Sequence, residues 1–264
     1  MHQATLNFGS HNFPVTLLLR ALIIAILSFF SLVLSSGAIA APEEIQVYLD
    51  EFTDVGKYGL DLHTNYVLSG YPPNYHQLRV TPELSYGFSD NWEFGGYLLT
   101  ASSPNELAQT DGIKLRAKWR PHLPDTHFYW AVNFEVAQLS QRFYPDTSSG
   151  EIKLIGVWKT GPWILGTNYD VDRSLKTAPI QGATSELDTK VAYQVGEGMQ
   201  VGVENYSFFG SMHNDPIGLQ SYQANYLAAD FSLSAWSFNV GIGHGSNSAT
   251  DRTVIKAIIS VPLY

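Results

Sequence analysis

The sequence predicts an all-β chain, a transmembrane antiparallel up-and-down β-barrel of about 12 strands with short periplasmic turns and long extracellular loops. Three observations predict it. Beyond an N-terminal leader, no stretch of the 264 residues resembles a membrane-spanning helix. From Tyr58 onward, side-chain character alternates with a period of two. Short connections alternate with long ones, and five of the six tryptophans adjoin the short ones. A transmembrane barrel has its short turns on the periplasmic side and an aromatic girdle at each interface. A soluble sandwich would bury tryptophan in mid-strand.

The leader comes first. Arg20 precedes an apolar run, Ala21 to Leu34, and small residues from Ser35 to Ala41 follow. Residues 1–40 read as a cleaved signal peptide with an A-x-A site at Ala38, Ile39 and Ala40. The alternative, a membrane anchor, needs about 20 apolar residues, and this run is shorter. Without the leader, a membrane protein with this sequence has to be a closed barrel, because only closure pairs every backbone group without helices. Residues 41–57 (APEEIQVYLDEFTDVGK) are acidic with scattered apolar positions. They read as a periplasmic N-terminal lead-in or as an extra strand, and the sequence leaves both open.

The barrel is expected over residues 58–264. Leu78, Val80, Pro82, Leu84, Tyr86 and Phe88 alternate with Arg79, Thr81, Glu83, Ser85 and Gly87. Trp92, Phe94, Gly96 and Leu98 alternate with Glu93, Gly95, Tyr97 and Leu99. In the sharpest segment, Ile113, Leu115, Ala117 and Trp119 interleave with Lys114, Arg116, Lys118 and Arg120. A face this charged has to stay wet. Phe128, Trp130, Val132, Phe134 and Val136 continue the pattern against His127, Tyr129, Asn133 and Glu135. Further strands are expected at 58–68, 151–159, 163–170, 186–196, 199–208, 220–231, 235–244 and 252–263.

The connections sort into two ends. Short ones fall at 89–91, 121–125, 160–162, 196–198 and 232–235, with the C-terminus on the same side. Long ones fall at 69–77, 101–110, 141–150, 171–185, 210–219 and 245–250. Trp92, Trp119, Trp158, Trp163 and Trp236 adjoin short connections on the apolar face. Tyr71, Tyr75, Tyr144 and Tyr222 are candidates for the opposite girdle. The last strand carries Ile255, Ala257, Ile259, Val261 and Leu263 in register, with Pro262 expected to interrupt it before the terminal Tyr264. These features place the chain in the outer membrane of a Gram-negative bacterium, with outer-membrane lipids and the barrel-assembly machinery as partners.

The stretches GLDLHTNYVLSG (59–70), LRVTPELSYGFSDNWEFGGYL (78–98), DGIKLRAKWRP (111–121) and TDRTVIKAIISVP (250–262) resemble outer-membrane proteins of the phenol-degradation meta-pathway family. That resemblance implies a barrel with a transporter-like role and supplies no substrate residues.

The chain has no Cys, which excludes disulfide and thiolate chemistry. Its formal charge of −9 offers no basic face for nucleic acid. His63, His76, His122, His127 and His213 are dispersed without metal-ligand spacing, so neither a metal nor a cofactor is expected. The function the pattern predicts is a channel for a small-molecule solute. Its pore lining is expected from Arg79, Glu83, Glu93, Lys114, Arg116, Lys118 and Glu135, with Glu186, Asp188 and Glu204 on the same wet face. Basic residues on 111–120 face acidic ones on both neighbours, a field able to orient a polar solute. The same charges suit a plugged scaffold, because about twelve strands lies between filled eight-stranded barrels and open porins.

An enzymatic alternative rests on His244-Gly245-Ser246-Asn247, which is similar to the catalytic segment of outer-membrane phospholipase A and of the lipid A deacylases. His244 would activate Ser246, with Asp251 to orient the base. GSNSATD is also ordinary turn composition, so no catalytic residue is assigned.

Overall fold

In the computed structural model, residues 44–70, 74–104, 106–121, 127–140, 147–176, 182–211, 222–246 and 250–263 are described. The expected leader and A-x-A site, Tyr71, His122, Tyr144, His213 and Asn247 lie outside them.

The described residues form twelve antiparallel strands in sequence order. They are β1 (Tyr58–Ser69), β2 (Leu78–Gly87), β3 (Trp92–Ser102), β4 (Gln109–Trp119), β5 (Phe128–Leu139) and β6 (Ser148–Thr160). β7 (Trp163–Ser174), β8 (Thr184–Gly196), β9 (Met199–Ser211), β10 (Tyr222–Leu233), β11 (Trp236–Gly245) and β12 (Thr253–Leu263) complete the ring. Each strand pairs with its neighbours in sequence, and β1 pairs with β12 from Tyr58 opposite Leu263 to Val67 opposite Val254. Closure leaves no edge strand.

Side-chain alternation sets which surface faces which solvent. Leu84, Phe94, Leu115, Phe134, Leu154, Val203, Leu227 and Ile255 are exposed on the outside. Glu83, Glu93, Arg116, Asn133, Lys153, Glu204 and Lys256 are buried on the inside. An apolar exterior around a polar interior is the arrangement a bilayer imposes on a barrel.

The aromatic girdle runs around the short-turn rim. Tyr58 packs on Tyr86, Trp92 stacks on Phe94, Phe128 packs on Trp158, and Trp163 meets Tyr193 edge-on. Trp236 and Phe231 both pack on Phe238. Trp130, the sixth tryptophan, joins through a T-shaped contact with Trp119, ring centroids 5.5 Å apart. At the other rim, Tyr75 is exposed beside His76, which stacks on Tyr66 and hydrogen-bonds its hydroxyl at 2.9 Å.

Two expectations change. The strands extend further toward the long-loop side than the apolar pattern reaches: β4 starts at Gln109, β6 at Ser148, and β7 runs to Ser174. The added rungs pair polar residues, such as Gln138 with Ser148 and Ser149 with Ser174, so backbone pairing continues where hydrophobic alternation stops. Pro262 does not interrupt β12 but pairs with Gly59 inside the closing ladder. It sits one residue from the strand end, where a missing donor is tolerated. Pro82 has a larger effect, because the β2–β3 register is unpaired between Val80 and Glu83.

Residues 44–54 form no strand. Their contacts reach inward-facing side chains on β1 to β7, β9, β10 and β12, which only a path through the lumen allows. Val55 bridges Gly87 at the short-turn rim, while Ile45 lies beside Val67 and Val254 toward the long-loop rim. The segment therefore runs nearly the height of the barrel.

Candidate functional site

The candidate site is the lumen, built from the inward positions of all twelve strands. Its first charge network centres on β4. Arg116 pairs with Glu83 of β2, and its Nη1 lies 2.7 Å from Glu93 of β3. Lys118 Nζ is 3.0 Å from Glu93, and His63 Nε2 is 3.3 Å from Glu83. Gly95 makes this possible, since a Cβ there would lie 2.8 Å from Arg116 Nε. Asp61, His63 and Glu83 also bring ligand-type atoms within 4.8 Å of one another. Arg116 already holds the Glu83 carboxylate, so this trio belongs to the ion-pair network.

A second network joins β8 to β12. Lys190 Nζ lies 3.1 Å from Glu204 and 2.7 Å from Asp230. Lys256 pairs with Glu204, and Tyr206 donates its hydroxyl to the same carboxylate at 2.8 Å. Asn239 donates to Asp230 at 2.7 Å. The third group lies on β4 to β7. Lys153 is 3.5 Å from both Glu151 and Asp170, and Lys114 is 3.8 Å from Glu135.

The threaded segment is anchored to all three groups. Lys256 Nζ donates to the Ile45 carbonyl at 3.0 Å, and Lys118 Nζ donates to that of Glu51 at 2.9 Å. Asn168 brackets Tyr48, accepting from its backbone N–H at 2.6 Å and donating to its carbonyl at 2.9 Å. The Tyr48 hydroxyl meets that of Tyr97 at 2.7 Å and also bonds Glu44. The Tyr48 ring carries Lys153 Nζ 4.8 Å from its centroid. Further down, the Thr53 N–H donates to Glu93, and its hydroxyl meets Ser85 at 2.8 Å.

Apolar contacts also hold the segment. Ile45 and Val47 cluster with Val67, Tyr206, Ala224, Tyr226 and Val254. Tyr48 and Leu49 cluster with Ala131, Ile155 and Val157. Leu49 rests against Gly166 of β7, where any Cβ would collide with it. Beside the segment lies a cavity of about 610 Å³ that reaches the short-turn rim, bounded by Arg116, Glu204, Asp230, Gly198, Ser232 and Pro262 among others.

The structure puts Arg79, Glu83, Glu93, Lys114, Arg116, Lys118, Glu135, Asp188 and Glu204 on the buried inner face, and Glu186 half-buried. Glu83, Glu93, Arg116 and Lys118 come together in one cluster. Glu204 belongs to a separate one, and Lys114 pairs with Glu135 in the third. Sequence reasoning missed Lys153, Asp170, Lys190, Asp230 and Lys256. Their parity was the available signal, for Lys256 stands between outward Ile255 and Ala257. It placed Asn133 on the polar face without a role and missed Asn168, a neutral residue whose role depends on what it faces.

At the possible enzymatic motif, His244 is exposed on the outward side of β11. Among the described residues its ring has no hydrogen-bond partner. Asp251 accepts from Asn74 Nδ2 at 3.5 Å and lies against Gly70.

Such a barrel, with its apolar belt, aromatic rim and charged lumen, is an integral protein of the Gram-negative outer membrane. Its fold is that of outer-membrane porins. A solved structure described as KdgM porin aligns with a TM-score of 0.56 at 12% identity, covering 78% of this chain and 99% of that one. KdgM porin in complex with disordered oligogalacturonate aligns at 0.55 and 11% identity, covering 78% and 99%. NanC porin aligns at 0.52 and 12% identity, covering 76% and 97%. No protein-family model matches the chain, and no curated protein matches its sequence.

Proposed function

We propose that this chain is an outer-membrane channel for small solutes, closed in the conformation described by residues 44–54. The observation that carries this reading is the composition of the lumen. Charged and amide side chains from strands all around the ring project into it, and a segment outside the wall fills the space between them. A barrel kept only as a membrane anchor has no need of so many buried charges, each of which is expensive to desolvate. Porins of the same fold support the reading, one of them in complex with an oligogalacturonate. In this role Arg79, Glu83, Glu93, Lys114, Arg116, Lys118 and Glu135 line the path, and the segment leaves or shifts when solute passes. The short stretches that resemble the phenol-degradation meta-pathway family support a transporter-like assignment within that class.

Planar-bilayer recording tests the proposal. Gly166→Val places a side chain where Leu49 sits, so the variant is expected to show current steps more often than wild type. Silent bilayers for both proteins, each verified as folded and inserted, would reject the channel and leave the plugged scaffold. That second reading draws on the paired state of Arg116, Lys118, Lys190 and Lys256. The lipid-hydrolase reading has less support, because Asp251 is engaged by Asn74 on the β1 side and the His244 ring has no hydrogen-bond partner among the described residues.

A further inference from the structure

Residues 44–54 are held at five points through their main chain. Lys256 of β12 donates to the Ile45 carbonyl, Asn168 of β7 to that of Tyr48, and Lys118 of β4 to that of Glu51. Asn168 also accepts the Tyr48 N–H, and Glu93 of β3 accepts that of Thr53. Side chains from four strands thus end on groups that every peptide carries. The three carbonyls recur at each third residue, the repeat of an extended chain without internal hydrogen bonds. Any chain buried in this way needs its main chain paired. Here the wall's side chains supply the pairing, so it does not depend on which side chains the segment bears.

A second observation points to what the wall accepts. Asn168, Glu93 and Lys256 are almost fully enclosed. The Asn168 amide commits its donor and its acceptor to one residue, Tyr48. Beside it the Tyr48 ring packs among Ala131, Ile155 and Val157, with Lys153 Nζ over its face and the Tyr97 hydroxyl at its tip. In peptide recognition, main-chain hydrogen bonds give affinity and side-chain pockets give selectivity. This lumen has both. When the segment withdraws, the buried wall groups lose their partners, and a solute that brings an N–H and a C=O on one residue restores them.

We infer that the lumen is a peptide-binding groove, that residues 44–54 occupy it as an internal mimic of the solute, and that the solutes of this barrel are short extended peptides with an aromatic residue at the Tyr48 position. This inference rests on the channel reading and narrows it.

The test uses the full-length chain carrying Y48A and L49A, which weakens the segment and leaves every wall residue in place. A tethered segment competes at high effective concentration, so its own contacts have to be weakened before a free peptide replaces it. The probe is a synthetic peptide with the sequence of residues 44–54, EIQVYLDEFTD, capped at both ends. Planar-bilayer current through the variant is expected to fall as this peptide is added. The same peptide N-methylated at its tyrosine cannot donate to Asn168, and its half-blocking concentration is expected to be higher by about tenfold or more. Adding N168A should weaken block by the plain peptide and remove its advantage over the methylated one, a coupling that a merely structural Asn168 does not produce. The methylation comparison decides by itself should N168A not fold. Current that neither peptide blocks, equal block by both with Asn168 present, or an advantage that survives N168A overturns the inference and leaves the channel standing. Absence of current removes the channel reading instead, and fluorescence anisotropy of the fluorescein-labelled peptide with the folded variant then decides the groove. Binding weakened about tenfold by the N-methyl group upholds it as a peptide site. Absence of binding, or binding indifferent to that group, refutes it.

Discussion

Arg116 is the residue on which the lumenal charges most depend. It holds two carboxylates from two strands, Glu83 and Glu93, and all three side chains are almost fully enclosed. Replacing both members of such a pair with apolar groups can be nearly neutral, but removing one leaves an uncompensated buried charge. Arg116→Met is therefore expected to destabilise the barrel by about 3–5 kcal/mol. Urea unfolding of the folded protein in lipid vesicles measures it, and a loss below about 1 kcal/mol would show that water reaches these groups freely. The members of this cluster were legible in the sequence, since Lys114, Arg116 and Lys118 alternate with apolar residues. Their pairing was not, because it depends on the stagger of three strands.

At the scale of single strands, β4 gives the cleanest test of orientation. Leu115 lies near its middle and is exposed, whereas its neighbours Lys114 and Arg116 are buried. An arginine on the lipid face costs about 2–4 kcal/mol at the bilayer midplane and about 0–1 kcal/mol near the interface. Leu115→Arg is expected in the first range. Leu233→Arg, beside the Ser234 turn and the Trp236 girdle, is expected in the second. Equal losses at both sites would contradict the depth assigned to the girdle. The threaded segment follows different rules. Its apolar residues, Ile45, Val47, Tyr48 and Leu49, keep no regular period, because each meets a different strand. No local pattern along the chain supplies these contacts.

The whole molecule is a ring closed by β1 against β12, strands almost two hundred residues apart, and closure makes unfolding cooperative. The folded protein is expected to migrate differently on detergent gels before and after boiling, since a closed barrel resists unfolding by detergent alone. Identical migration would argue against the ring. Alternation, turn spacing and tryptophan position determined the strand number, the wet face and the lipid face from the sequence alone. Each of these is written into neighbouring residues, and side chains two apart on a strand share a surface whatever lies beyond them. Only the tertiary structure decided that residues 44–54 run through the lumen and that Arg116 and Lys256 serve different networks. Those outcomes depend on which residues closure brings across the barrel, a relation between distant parts of the chain that no window along it contains. The contact between Ile45 and Lys256, 211 positions apart, is its clearest instance.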